Sequence, residues 1–247
     1  MILKGLLKLS WIETKIFLRE PFGVVGSLAL PVLLFMFVGR VMRPTRDPAS
    51  FARLPFNIAI LTALLITLGA VQSLVSIMAI YREGGILKRL RATPLSPVTI
   101  LASHVLVKLV FTLVGLTLMM LAGRRVAPGV MPDDVPSFIA AVLVGTTSIL
   151  SLGFVMASIV RTARFAQAIG AALTYVMLAL SGVFFSIERL PRSLYVVANL
   201  LPTTHAVTLM KGIWAGEGWG AQLGTLGALA VIFTACMAFS SRWFRWE

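Results

Sequence analysis

Of the side chains that carry most protein chemistry, this chain has few: nine carboxylates, two histidines and one cysteine in 247 residues. The carboxylates stand only at positions 13, 20, 47, 83, 133, 134, 188, 217 and 247, outside every long apolar run. Carriers driven by ion or proton gradients bind the driving ion on ionisable groups inside the membrane. Here the one ionisable group within such a run is Lys108, near its end. No phosphate-binding loop of the form GxxxxGK followed by Ser or Thr occurs. The single Cys236 excludes an internal disulfide, and the acids and histidines leave little for a metal site. An enzyme acting on lipids would have to work with His104, Lys108 and His205.

What remains is a cluster of charge suited to docking. Residues 81–97 read YREGGILKRLRATPLSP and are the densest basic stretch of the chain. Gly84 and Gly85 interrupt the helix entering the segment. Ile86, Leu87 and Leu90 then share one helical face, while Lys88, Arg89 and Arg91 spread over the rest. Thr93-Pro94 ends this turn, because the residue before a proline avoids the α region. Ser96-Pro97 sets the start of the next apolar run. A basic loop at a membrane surface would have a similar composition. The apolar face is what such a loop does not need. A short amphipathic helix tied at both ends to spanning helices would pass a partner's push to both.

The elements that hold this segment follow from composition. The chain is 58% hydrophobic and 13% charged, against roughly 45–50% and about 25% in soluble domains. It is expected to be an all-α polytopic membrane protein with six transmembrane helices, at 22–40, 54–80, 105–123, 138–160, 165–187 and 223–240. The net charge of +13 is concentrated at the ends of these runs, where it meets lipid headgroups, so nucleic acid is not the expected partner. Pro31 is expected to kink the first span. The third run is short, and extending it back to 105 places Lys108 about one turn inside, where it could snorkel; His104 becomes an interfacial polar residue.

Residues 1–21 form an amphipathic interfacial helix. Lys4, Lys8, Lys15 and Arg19 share one arc, opposite Leu3, Leu6, Leu9, Ile12, Ile16 and Phe17. Residues 188–222 hold two short apolar pieces, 194–201 and 206–214, punctuated by Pro and Gly, which read as re-entrant helices. Lys and Arg are modestly more frequent on the side of the termini, which places both termini inside. His104 and His205 then fall on opposite membrane faces. Ala166, Gly170 and Thr174 line one face of the fifth span at a spacing that lets two helices approach, as a dimer seam or as internal packing.

The segment 81–97 resembles the signature of the permeases of type-2 ABC transporters, the ABC-2 family, and most closely their drug- and antibiotic-export branch. The matching residues are Glu83, Gly85, Leu87, Lys88, Arg89, Leu90, Thr93, Pro94 and Leu95. Gly84 departs from the pattern, since many relatives carry a charge there. The layout of the whole chain is also similar, which implies one permease domain over 1–247. The resemblance implies a homo- or heterodimer of permeases, each engaging one cytoplasmic ABC ATPase subunit, two per transporter. ATP and Mg would be bound by those subunits, with no cofactor and no enzymatic activity in this chain.

Residues 82–95 would be the coupling helix, with Arg82, Glu83, Gly85, Ile86, Leu87, Lys88, Arg89, Leu90, Arg91, Thr93, Pro94 and Leu95 at the ATPase. The N-terminal helix would help contact it. Spans one and five would flank the dimer seam, with Ala166, Gly170 and Thr174 there. The expected function is export of a hydrophobic or amphipathic substrate (a drug, an antibiotic or a lipid-like molecule) across a bacterial inner membrane. The competing reading is an ATP-independent secondary transporter or a channel.

Overall fold

The computed structural model describes residues 2–19, 24–41, 58–86, 97–126, 132, 134–160, 162–184 and 186–243. The regular structure among them is helical throughout. Helix α1 spans Ile2–Arg19. A π-helical turn, Val25–Ala29, runs into α2, Leu30–Val41. The long helices α3, Ile58–Glu83, α4, Pro97–Val126, and α5, Val135–Ile159, follow. Next come α6, Ala163–Ala179, the short helices α7, Arg192–Leu200, and α8, Pro202–Trp214, and finally α9, Leu223–Trp243.

Among the described residues four segments are long and apolar enough to cross a bilayer: Ala63–Glu83, Ala102–Arg125, Val135–Ile159 and Leu223–Trp243. In lipid a lone backbone amide has no water to bond, so an uninterrupted apolar run has to form a helix. The first expected span is a helix over 24–41. Its distortion is a π turn ending just before Pro31, where Leu30 N–H bonds back to Val25 O. A proline ring crowds the carbonyl four residues earlier, and one wider turn relieves it.

Helices α3 and α5 form the centre. Leu64, Leu68, Val71, Leu74 and Met78 of α3 are buried together with Phe138, Val142, Ile149, Leu150 and Phe154 of α5. At Gly153 an added Cβ would come within 3.0 Å of Leu74, so the two helices meet where a side chain is missing. Hydroxyl pairs tie the spans across the core: Thr67 with Thr146 at 3.2 Å, and Ser158 with Ser240 at 2.9 Å.

Two expected boundaries differ. Helix α4, which contains the third expected span, begins at Pro97, before 105, because proline fits the first helical position. Lys108 therefore lies three turns in, and it does not snorkel: it is buried and donates to Ser73 Oγ at 2.5 Å. Helix α6, where the fifth span was expected, ends at Ala179 rather than 187. The chain turns there through Gly182, at φ +76°. Helix α8 secures the turn, since Thr204 donates to Leu180 O at 3.1 Å and Lys211 Nζ to Gly182 O at 2.5 Å. Burial pushes the Lys211 ammonium below its ordinary value. The two short pieces expected before the last span are the helices α7 and α8.

Candidate functional site

The end of α3 that leads into the basic segment is described as far as Ile86. Leu87, Lys88, Arg89, Leu90, Arg91, Thr93, Pro94 and Leu95 lie outside the described residues. Helix α3 stops at Glu83, Gly84 N–H bonds to Ile80 O at 2.9 Å and Gly85 N–H to Arg82 O at 3.1 Å. Gly85 sits at φ +65°, the left-handed conformation in which helices end most readily on glycine. Glu83 and Ile86 are exposed beside it.

The two residues just before this turn are buried and point inward. Arg82 Nη1 donates to the carbonyl of Val160, the residue that caps the C-terminus of α5. A cation suits that position, because the last carbonyls of a helix carry partial negative charge. The Tyr81 ring lies 5.6 Å from the His104 ring of α4.

His104 in turn holds α1. Its Nδ1 lies 2.6 Å from Glu13 Oε2, and Ser103 Oγ donates to Glu13 Oε1 at 3.3 Å. Glu13, Ser103 and His104 are all buried. One turn further along α1, Phe17 packs on Phe111 with ring centroids 4.2 Å apart. Lys108 Nζ stands 4.9 Å from the Phe17 ring centroid, a cation–π contact. Glu13, Phe17, Ser73, Tyr81, His104 and Lys108 line one small cavity of about 40 Å³ between α1, α3 and α4. That exceeds the ~10–15 Å³ a water molecule needs.

Helix α1 packs on α4 through part of the face expected to rest on lipid: Phe17 is half-buried against Phe111, Ser10 and Glu13 are buried, and Leu6 and Leu9 are half-buried. Ile12 and Ile16 remain exposed, as do Lys8, Lys15 and Arg19. Sequence reasoning placed His104 at an interface and gave Glu13 no role. The signal was present: Glu13 falls among Leu6, Leu9 and Phe17 on the helical wheel, and a carboxylate on an apolar face needs a partner.

The small residues of α6 also take an internal position. Ala166 and Gly170 are buried, and a Cβ on Gly170 would stand 3.7 Å from Gln72 and 3.9 Å from Val75 of α3. Thr174 is half-buried on the same face. The face of Ala166 and Gly170 thus packs on α3 within the chain, the second of the two uses that its spacing allows. His205 Nε2 donates to Asn199 O, 2.9 Å away in the α7–α8 unit, and lines no part of the His104 cavity. Among the described residues no group of His, Cys, Asp and Glu is placed to hold a metal ion.

The site therefore offers mechanical connections: buried contacts gather α1, α3, α4 and α5 at the root of the basic segment. No curated protein matches the chain. Its residues 5–214 match the family model described as ABC-2 type transporter, so the chain belongs to the ABC-2 family, whose members are the multi-pass membrane permeases that work with an ATPase subunit in ABC transporters.

Proposed function

We propose that this permease exports a hydrophobic or amphipathic molecule across a bacterial inner membrane, driven by ATP hydrolysis on two separate cytoplasmic subunits. ATP and Mg belong to those subunits. A second permease, identical or not, completes the pathway. Residues 82–95 are the coupling helix: Ile86, Leu87 and Leu90 enter an apolar groove of the ATPase, with Lys88, Arg89 and Arg91 around them. The observation that carries this reading is the burial of Tyr81 and Arg82, which joins the base of the basic segment to α4 and α5. A segment that served only to orient the chain would not need its root fastened to two other spans. Apart from Lys108, the four crossing segments carry no Asp, Glu, Lys or Arg away from their ends, which supports an amphipathic or apolar substrate.

The test is the double substitution Leu87→Asp with Leu90→Asp. Burying two carboxylates in an apolar groove is costly, so the variant permease should neither retain its ATPase on purification nor stimulate it. Unchanged retention and stimulation would refute the coupling assignment.

A further inference from the structure

Glu13 is a carboxylate buried on a helix that could have docked through leucines and phenylalanine alone. The apolar contact of Phe17 with Phe111 holds α1 near α4, but such contacts are non-directional and tolerate sliding or rotation. The carboxylate removes that freedom. Its two oxygens meet two consecutive residues of α4, Ser103 and His104, which fixes α1 in one register. A buried contact between polar groups of this kind adds little net stability, and setting register is its best-attested use. The opposite neighbour of His104 is Tyr81, one residue before Arg82 at the root of the basic segment. His104 therefore stands between the segment and α1.

We infer that Glu13 and His104 are positioning residues that make α1 move as one body with the coupling helix and the start of α4. A load applied to 82–95 reaches the Tyr81 ring, then His104, then the Glu13 carboxylate, and α1 follows rather than slipping. This inference rests on the coupling role of 82–95.

The experiment uses the full chain with Cys236→Ala and spin labels at Lys15→Cys and Arg125→Cys, both exposed and on α1 and α4. Pulsed electron resonance reads the distance between them, and the partner ATPase reads stimulation in the same proteoliposomes. The tied permease should show one narrow distance, unchanged when ATP-loaded ATPase is added. Glu13→Leu and, from the other side, His104→Leu should broaden it and lower ATPase stimulation by about five- to 150-fold, the usual range of coupling between sites. Glu13→Gln, which keeps an oxygen for the His104 ring N–H, should retain both. The inference is overturned if either leucine variant matches the parent in both readouts, or if Gln does as much damage as Leu. The distance needs no ATPase, so it separates this failure from failure of the coupling role, which would appear as full stimulation by Leu87→Asp with Leu90→Asp.

Discussion

Replacing Gly85 by alanine isolates what the backbone contributes at the root of the coupling segment. Gly85 holds φ +65°, and no atom stands within 4 Å of the place a Cβ would take. The substitution therefore meets no steric obstacle from its surroundings, and the whole effect is conformational. An L-residue in the left-handed region costs about 1–2 kcal/mol, equivalent to roughly a five- to thirtyfold loss in the population of the turned form. Asparagine tolerates this region better and should lose less; valine, branched at Cβ, should lose more. Hydrogen exchange of the amides at 84–86 in detergent or nanodiscs measures the opening directly. Protection should fall in the order Gly, Asn, Ala, Val, and ATPase stimulation should fall in the same order as the segment leaves the membrane at another angle. Equal protection in all four, or alanine within twofold of glycine, would refute the claim that this turn aims the segment.

Arg82→Met keeps an unbranched apolar stem and removes the bond to Val160 O; loss of a charged hydrogen bond, about 1.5–3 kcal/mol, should appear as faster amide exchange in the last turn of α5. Gly145→Val should be destabilised by about 1–3 kcal/mol through overpacking, because even a Cβ there would stand 2.9 Å from Ala206 Cβ. Gly227→Ala on α9 has nothing within 4 Å, so it should be neutral or gain up to about 1 kcal/mol of helix propensity; the two thermal midpoints in detergent decide this. The Ser137 hydroxyl and N–H hold the Asp134 carboxyl below its ordinary value of 3.8. Its cap on α5 is thus fully present above that value and is lost as pH falls through the lowered one. Asp134→Asn should make the exchange of the first turn of α5 insensitive to acid.

The long helices were legible because a bilayer leaves an uninterrupted apolar run little choice but to cross as a helix. Boundaries were legible only where a local rule decided them. Pro97 starts α4, yet hydropathy placed the start at 105, and that moved Lys108 from the interior to an imagined edge. The end of α6 was not legible, because Ala179 is followed by more apolar residues; the turn at Gly182 is secured by Lys211 and Thr204 from a helix far along the chain. The small face of α6 announced a close helix approach correctly, but spacing alone cannot name the partner, and Gln72 and Val75 of α3 supply it. The segment 81–97 stood out by charge. Its connections did not, since Tyr81, His104 and Glu13 sit on three helices and only tertiary packing joins them.

The most direct measurement of the central claim is energetic. The permease is placed in proteoliposomes alone and together with its ATPase, and hydrolysis and release of a panel of apolar dyes are followed with ATP or with an imposed proton or sodium gradient. Hydrolysis should rise when the permease is present, and dye movement should require both ATP and the ATPase. Gradient-driven movement by the chain alone, with hydrolysis indifferent to its presence, would contradict the account.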